Sequence, residues 1–328
     1  MKVTIAELVV LLFSVICIDG KEESECTVIT DYHGDAPLNE AVCYLSCLSD
    51  ALNNLYSDGE TKLFVNEEVY ANASRILNDM ESKTGESTTY LSVIGGSTEG
   101  KHDKLENLIS YGNEMGDLVT KAGGLFAEVN ESVREVRKEI PDALIKANKY
   151  FTAIAEVART VWDDVNAVEG SDEEAAKCKG EKIGVTDFPT ACGDYTCPLR
   201  DNVSADAVQK YKDGCLAVTV QNDSVSECLN KPRDNVYENG AVKNSGDVLL
   251  WKENDRAATF FQLTVKVQEI FGPLIGPFSA GQPPPVILEV MSNITSLYSH
   301  FNRVHGNFTS FLRGTNLTDN ANISNSAI

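Results

Sequence analysis

A stripe of apolar residues at helical spacing runs from Leu105 to Val168 and organises the chain. Apolar side chains recur there every three or four positions, which is the period of a helix that buries one face against partner helices. The members of the stripe are Leu105, Leu108, Met115, Leu118, Ala122, Leu125, Val129, Val133, Val136, Ile140, Leu144, Ala147, Phe151, Ile154, Val157, Val161, Val165 and Val168. The pattern predicts the rod of an elongated helical bundle.

Pro141 decides whether this rod is one helix or two, because a proline inside a helix costs about 3 kcal/mol. The apolar phase continues from Val136 through Ile140 to Leu144 without a slip, and no glycine stands nearby to end a helix. We therefore favour one kinked helix, which would span about 95 Å. The alternative is a tight helical hairpin that turns at Pro141.

Shorter helical patterns precede the rod. The first begins at Leu38, and a break is predicted at 57–59, where Ser, Asp and Gly follow one another. The second covers Leu63–Met80 and either continues the first after a kink or packs separately. A loop is predicted for Gly85–Gly100, which is rich in Ser, Thr and Gly. These helices would supply partners for the rod.

Two further helical stripes are predicted near the end of the chain, separated by a proline-rich stretch at 272–285 that is not expected to remain helical. The first consists of Ala257, Phe260, Phe261, Thr264, Val267 and Ile270. The second consists of Ile287, Met291, Ile294, Tyr298, Phe301, Val304, Phe308 and Phe311. The aromatic residues of the second stripe are interpreted as core rather than as a ligand pocket, because their spacing is that of a buried helix face.

The predicted fold class is therefore mainly α, an elongated antiparallel helical bundle with a disulfide-rich, loop-dominated head. We divide the chain into a signal peptide (1–20), N-terminal helices and rod (21–168), a Cys-rich head (169–250), return helices (251–313) and a disordered C-terminal segment (314–328). The head is placed at 169–250 because cysteines, prolines and turn residues replace the helical period there. The signal peptide is read from Lys2 and the short apolar run at 9–18.

The cysteines agree with a secretory route. The chain has nine, and removal of Cys17 with the signal peptide leaves eight, an even number that suits a disulfide framework. The eight are Cys26, Cys43, Cys47, Cys178, Cys192, Cys197, Cys215 and Cys228. Three precede the rod and five follow it, so complete pairing within the chain needs at least one bridge between the two groups. The connectivity stays open.

Surface chemistry follows from the sequons and the charge. Eight Asn-X-Ser/Thr sequons are expected to carry N-glycans in a secreted chain, and they are Asn72, Asn130, Asn202, Asn222, Asn293, Asn307, Asn316 and Asn322. A net charge of −21 argues against nucleic-acid binding. His300 and His305 are five positions apart, which does not fit a zinc-protease helix, and the cysteines are expected in disulfides rather than on zinc. No catalytic residue, metal site or cofactor is predicted.

The order of these features resembles the N-terminal domain of trypanosome surface glycoproteins, the group of variant surface glycoproteins and related transferrin, haptoglobin-haemoglobin and invariant surface receptors. The resemblance rests on the signal peptide, the early helix with Cys43, the heptad rod, the insertion at 178–228 and a return helix that carries sequons. It implies a cell-surface protein held by a glycosylphosphatidylinositol (GPI) lipid anchor. Thr315–Ile328 carries no hydrophobic tail, so we expect the anchor signal to be missing from this sequence; the alternative is a secreted protein.

The leading hypothesis is a non-enzymatic parasite surface glycoprotein that presents its head on a helical stalk, as antigenic coat or as receptor for a host macromolecule. Its expected partners are a host serum protein or an antibody at the head, and a homo-oligomer is also considered. A secreted enzyme with its active site in the Cys-rich region is the alternative. A membrane-lytic rod would need an exposed apolar helix, for which only 272–287 qualifies, and that stretch is more simply a proline-rich turn.

Overall fold

The described part of the chain is mainly helical. The computed structural model describes residues 38–95, 102–166, 199, 203–204, 216–222, 249–254 and 259–314. The elements are α1 (Leu38–Gly95), α2 (His102–Asn166), β1 (Leu216–Asn222), β2 (Leu249–Asn254), β3 (Thr259–Val265), α3 (Val267–Ser279) and α4 (Pro284–Gly314). They fall into two compact units. The bundle unit holds most of α1, α2 and α3 and all of α4, whereas the sheet unit holds the three strands.

Helix α2 confirms that the predicted rod is continuous. It has 65 residues, which corresponds to about 98 Å, and Pro141 lies inside it, so the hairpin alternative is wrong. The stripe predicted for this helix is buried or half-buried at every position from Leu105 to Val157. Val161, Val165 and Val168 lie outside the side chains that the structure describes. The apolar phase across Pro141 therefore predicted the continuity correctly.

Helix α1 is longer and less interrupted than the sequence suggested. Its 58 residues run through both the predicted break at 57–59 and most of the predicted loop Gly85–Gly100. A Cβ on Gly59 would clash with the ring of Phe278, so this glycine permits close packing rather than a break. Farther along, the hydroxyls of Thr88 and Thr89 each donate to a carbonyl one turn earlier at 2.9 Å, which satisfies these polar side chains within the helix.

The core of the bundle unit is shared by α1, α2 and α4. The contacts Glu67–Arg137 and Tyr70–Phe126 show that α1 and α2 pack antiparallel, because the residue numbers rise along α1 while they fall along α2. Apolar side chains from all three helices form one buried cluster: Val69, Ala73, Ile76, Met80, Ile94, Leu108, Met115, Leu118, Ala122, Val129, Val133, Ile287, Ile294, Phe301, Val304, Phe308 and Leu312. The predicted aromatic stripe of α4 is thus core. A three-helix arrangement explains why each helix carries only one apolar face.

The helix predicted over 257–270 is wrong for most of its length, because Thr259–Val265 is strand β3; the last two residues of the predicted stripe, Val267 and Ile270, lie in helix α3. It lies in the centre of a three-stranded antiparallel sheet of order β1-β3-β2, with Leu216 and Leu249 both opposite Val265. The segment consists largely of Thr, Phe and Val, which favour strands, and hydrogen bonding on both edges satisfies its backbone. A short run of apolar residues fits both the helical period and the strand period, and pairing with β1 and β2 on either side stabilises the strand.

The proline-rich stretch 272–285 is more helical than expected. Pro273 and Pro277 lie inside α3, so the non-helical stretch is limited to the short connection 280–283. Helix α4 begins at Pro284, and the carbonyl of Pro283 accepts from the amides of Val286 and Ile287 at 3.0 and 3.1 Å. Prolines suit a helix start because the first turn has no internal partner for its amides.

Three of the predicted regions lie wholly or largely outside the described residues. These are the signal peptide 1–20, the C-terminal segment 314–328 and, apart from the strand segments and isolated positions, the Cys-rich head 169–250. Among the helices that the structure describes, none offers an apolar stretch of the length needed to cross a bilayer.

Candidate functional site

Four of the predicted glycan acceptors lie on helices of the bundle unit. Asn130 on α2 and both Asn293 and Asn307 on α4 are exposed, whereas Asn72 on α1 is half-buried. Asn222 is the last residue of β1. Asn202, Asn316 and Asn322 lie outside the described residues. Glycans need exposed acceptor side chains, so Asn130, Asn293 and Asn307 are the described sites best suited to modification.

Two of the eight predicted disulfide cysteines are described. Cys43 and Cys47 lie one turn apart on α1, each is 4% exposed, and both are disulfide-bonded. The other six, Cys26, Cys178, Cys192, Cys197, Cys215 and Cys228, lie outside the described residues. The pairing scheme stays a prediction, including the expected bridge between the cysteines that precede the rod and those that follow it.

The two histidines of α4 contact different helices. His300 Nε2 lies 3.1 Å from Glu114 Oε1 of α2, and the His305 ring stacks on Phe301 with centroids 6.2 Å apart. Burial, and after it the charge of Lys83, lower the pKa of His305. Within the described residues, no group of three His, Cys, Asp or Glu side chains is arranged to hold a metal ion. These histidines therefore serve helix contacts here.

A set of polar side chains fixes the α3–α4 connection to the first two helices, and we call it the loop anchor. It consists of Lys62 and Asn66 on α1, and of Ser132 and Glu135 on α2. The Ser132 hydroxyl donates to Asn66 Oδ1 at 2.7 Å and accepts from the Gln282 amide at 2.7 Å. Because Asn66 is fully buried and Ser132 is 3% exposed, these bonds form away from water.

The remaining bonds of the loop anchor satisfy backbone groups. The side-chain Nδ2 of Asn66 donates to the backbone carbonyl of Lys62 at 2.9 Å and to that of Gln282 at 3.3 Å. The Gly281 amide donates to Glu135 Oε2 at 3.1 Å. Gly281 has φ of 68°, and a Cβ there would lie 2.5 Å from Val136 Cγ2. The connection therefore needs glycine both for its conformation and for its close approach to α2.

Lys62 is the unusual member of the loop anchor, since it is a cation that is only 8% exposed. Its Nζ donates to the carbonyl of Phe278 at 3.2 Å. Burial lowers its pKa, and the charge of Glu135 acts in the opposite direction. Lysine is seldom buried without a paired carboxylate, so this side chain is a candidate for function.

A second polar cluster joins α1 to α4. Lys83 Nζ lies 2.7 Å from Asp79 Oδ2 and donates to Asn302 Oδ1 at 3.1 Å, while the Tyr298 hydroxyl donates to Asp79 Oδ2 at 2.8 Å. Lys83 and then Tyr298 lower the pKa of Asp79 by hydrogen bonding to its charged form. The two charges pair with each other within α1 and both bind side chains of α4, which is a structural role.

A third contact joins α1 to α2 on the exposed side. Arg137 donates to both carboxylate oxygens of Glu67, at 2.6 and 2.7 Å, and this lowers the pKa of Glu67. The guanidinium also lies 5.1 Å from the centre of the Tyr70 ring, which in turn packs on Phe126. Bidentate geometry with an aromatic platform orients Arg137 and so fixes the register of the two helices.

Sequence reasoning missed the loop anchor. The signal was present, because the buried positions Val69, Ala73 and Ile76 continue backward by threes and fours to Asn66 and Lys62. Polar residues at positions that the helical period assigns to the core indicate a specific contact. The prediction treated this part of α1 only as the start of a second apolar stripe.

Comparison with known proteins places the chain among trypanosomal sequences. Residues 98–327 match a family model described as ESAG protein. The chain is 58% identical over 330 residues to VSG expression site-associated protein 117A of Trypanosoma brucei brucei, with 100% of both chains covered. It is 57% identical over 320 residues to VSG expression site-associated protein 221A of the same organism, with 97% of both covered. No solved structure matches the chain.

Proposed function

The chain belongs to the ESAG protein family, and from this membership we propose that it is a non-enzymatic surface glycoprotein of a trypanosome. In this proposal the bundle unit is a support that the secretory route delivers to the cell surface. The segment 169–250 forms the contact region for a host macromolecule, and a GPI anchor holds the protein on the membrane.

The observation that carries the proposal is the division of the bundle unit into a sealed apolar interior and an exterior with glycan acceptors. Phe301, Met115 and Leu108 are fully buried, whereas Asn130, Asn293 and Asn307 are exposed on the same helices. Such a bundle can carry glycans without disturbing its packing, because acceptors and core occupy different faces. Surface exposure in a secreted context is the setting in which N-glycans are added.

The relatives support the surface role by their names. Both are called VSG expression site-associated proteins. We take VSG to stand for variant surface glycoprotein, the coat protein of the group that the sequence resembles. Association with the site that expresses the coat suggests a protein that works beside the coat rather than forming it. We therefore favour a receptor over an antigenic coat protein.

A non-enzymatic role is supported by how the described charges are used. Asp79, Lys83, Glu67 and Arg137 each bind a partner on the same helix or a neighbouring one. A charge held in this way orients helices rather than activating a substrate. The enzyme alternative concerns 169–250, which lies mostly outside the described residues.

Surface display and glycosylation are tested together in living trypanosomes. Biotinylation of intact cells, followed by immunoprecipitation of the full chain, should recover labelled protein whose mass falls on N-glycosidase treatment. The variants Asn293→Gln and Asn307→Gln should each remove one glycan step. Asn113→Gln is the matched control, since Asn113 is an exposed α2 asparagine outside any sequon. Protein that stays unlabelled on intact cells would overturn the proposal.

Anchor and receptor role need separate measurements. A phosphatidylinositol-specific phospholipase should release the protein from washed cells if the anchor is GPI. Saturable binding of one purified serum protein to cells that display the chain, lost when 169–250 is replaced by a short linker, would support a receptor. Surface density comparable to the coat, without such binding, would support the coat role instead.

A further inference from the structure

A cleft opens in the bundle unit where α1 meets the end of α3 and the start of α4. Its volume is about 370 Å³. Apolar side chains form most of its wall, chiefly Leu55, Ile275, Phe278 and Pro283, and Lys62 contributes the buried cation. The cleft exists partly because residue 59 is glycine, which brings Phe278 against the α1 backbone.

The Lys62 ammonium is only partly satisfied. It has three N–H groups, and among the described residues one acceptor is found for them, the Phe278 carbonyl at 3.2 Å. No carboxylate of the described residues forms an ion pair with it; Asp58, one turn earlier on α1, lines the same cleft. Glu135 is bound to the Gly281 amide. The charge of Glu135 acts on Lys62 without forming an ion pair. Burying a cation that lacks an ion pair is costly, so an anion that enters the cleft would relieve that cost.

We propose that this cleft binds a small monocarboxylate with an apolar body. The carboxylate accepts from the two remaining N–H groups of Lys62, and the apolar body lies against Leu55, Ile275 and Phe278. At about 30 Å³ for each water-sized atom, the volume admits roughly a dozen non-hydrogen atoms. A single negative charge fits one lysine, whereas the chain's net charge of −21 opposes anions of higher charge.

Octanoate is the probe, because it combines one carboxylate with an apolar chain of suitable length. Titration calorimetry on the full glycosylated chain at pH 7 should show saturable binding at one site. The matched alcohol, 1-octanol, should bind at least tenfold more weakly because it offers no charge to Lys62. Equal affinity for the two molecules, or no binding of octanoate, would overturn the proposal.

Two variants locate the site. Lys62→Met removes the ammonium and keeps an apolar stem, so octanoate affinity should fall at least tenfold. Lys121→Met, at an exposed position of α2 away from the cleft, is the matched control and should keep wild-type affinity. Unchanged binding to the Lys62 variant would show that the carboxylate sits elsewhere.

A variant that fills the cleft distinguishes loss of the binding site from loss of the fold. Leu55→Trp retains Lys62 and occupies the cleft, so binding should be lost while the helical circular dichroism spectrum is kept. In the wild type, octanoate should also raise the melting temperature, and this rise should vanish in Leu55→Trp. A thermal shift that persists in the filled variant would contradict the proposed position.

Discussion

Two regions of the described bundle are held together by different interactions. Around Met80, Met115 and Phe301 the three helices meet through apolar side chains that are fully buried. At the loop anchor, α1 and α2 meet each other and the α3–α4 connection through Asn66 and Ser132, which are buried and hydrogen-bonded. An apolar seam tolerates small shifts because its attraction is not directional. Hydrogen bonds have fixed geometry, so the loop anchor determines where the α3–α4 connection crosses α1 and α2.

The difference assigns two roles. The apolar seam supplies most of the free energy of folding, since burial of large side chains is the dominant favourable contribution. The loop anchor contributes less stability, but it holds Lys62, one of its own members, beside Phe278 in the cleft. Removing a seam residue should therefore lower stability most, and removing an anchor residue should change the local geometry most.

The largest expected effect comes from the apolar seam. Phe301→Ala should lower the free energy of unfolding by about 3–5 kcal/mol, because it removes a fully buried aromatic side chain and leaves a cavity. Ile145→Ala is the matched control, since Ile145 is 69% exposed, and it should change stability by less than about 0.5 kcal/mol. Urea denaturation followed by circular dichroism measures both. Similar losses in the two variants would mean that burial does not separate these positions.

Gly281→Ala tests the connection that the loop anchor holds. The left-handed φ of 68° and the 2.8 Å approach of a Cβ to the Ser132 carbonyl oxygen together should cost roughly 3 kcal/mol. Gly124→Ala is the control with the opposite sign. Gly124 lies inside α2 with no atom within 4 Å of an added Cβ, so alanine should stabilise by about 0.5–1 kcal/mol. Two changes of the same sign would contradict the conformational explanation.

The buried hydrogen bond between Asn66 and Ser132 should show energetic coupling. Asn66→Ala leaves the Ser132 hydroxyl and the Gln282 carbonyl without this partner, and we expect a loss of about 2 kcal/mol. Ser132→Ala and the double variant complete a double-mutant cycle. The coupling energy should exceed about 0.5 kcal/mol, since the two side chains are in direct contact. Additive losses would mean that the bond contributes little to stability.

The same comparison explains what sequence could predict. The apolar seam was predictable because burial imposes a period on the sequence, and the period survives a proline, as at Pro141 in α2. The breaks were predicted less well, since a glycine such as Gly59 reads locally as a turn although it serves a contact with Phe278. Which of the two uses applies depends on a residue more than two hundred positions away.

The loop anchor and strand β3 show the same limit. Asn66, Ser132 and Gln282 come from three separated segments, and only the packed helices bring them together. Strand β3 was predicted as helix because a short apolar run fits both periods, and its pairing with β1 and β2 is not visible in its own sequence. The period of buried residues can be seen in the local sequence, whereas polar contacts and strand pairing depend on segments that only the folded chain brings together.

The smallest expected effect is a pH dependence from the cluster that joins α1 to α4. Burial and the nearby Lys83 lower the pKa of His305, while Glu86 and Asp79 act in the opposite direction. A histidine with a lowered folded pKa contributes stability that is present above the unfolded value of about 6.5 and is lost as pH falls through and below it. Carboxylates with lowered pKa values, such as Asp79, lose their contribution only at more acidic pH.

His305→Gln should therefore flatten the fall in melting temperature between pH 7 and pH 5.5, two values chosen to bracket the unfolded histidine pKa of about 6.5. His300→Gln is the comparison variant, because His300 lies on the same helix but contacts Glu114 of α2. Differential scanning calorimetry at several pH values measures both variants. If the two flatten the curve equally, the dependence does not arise from the burial of His305 beside Lys83. A contact made only of apolar side chains would contribute no such slope, so the slope reports on the polar part of the contact between α1 and α4.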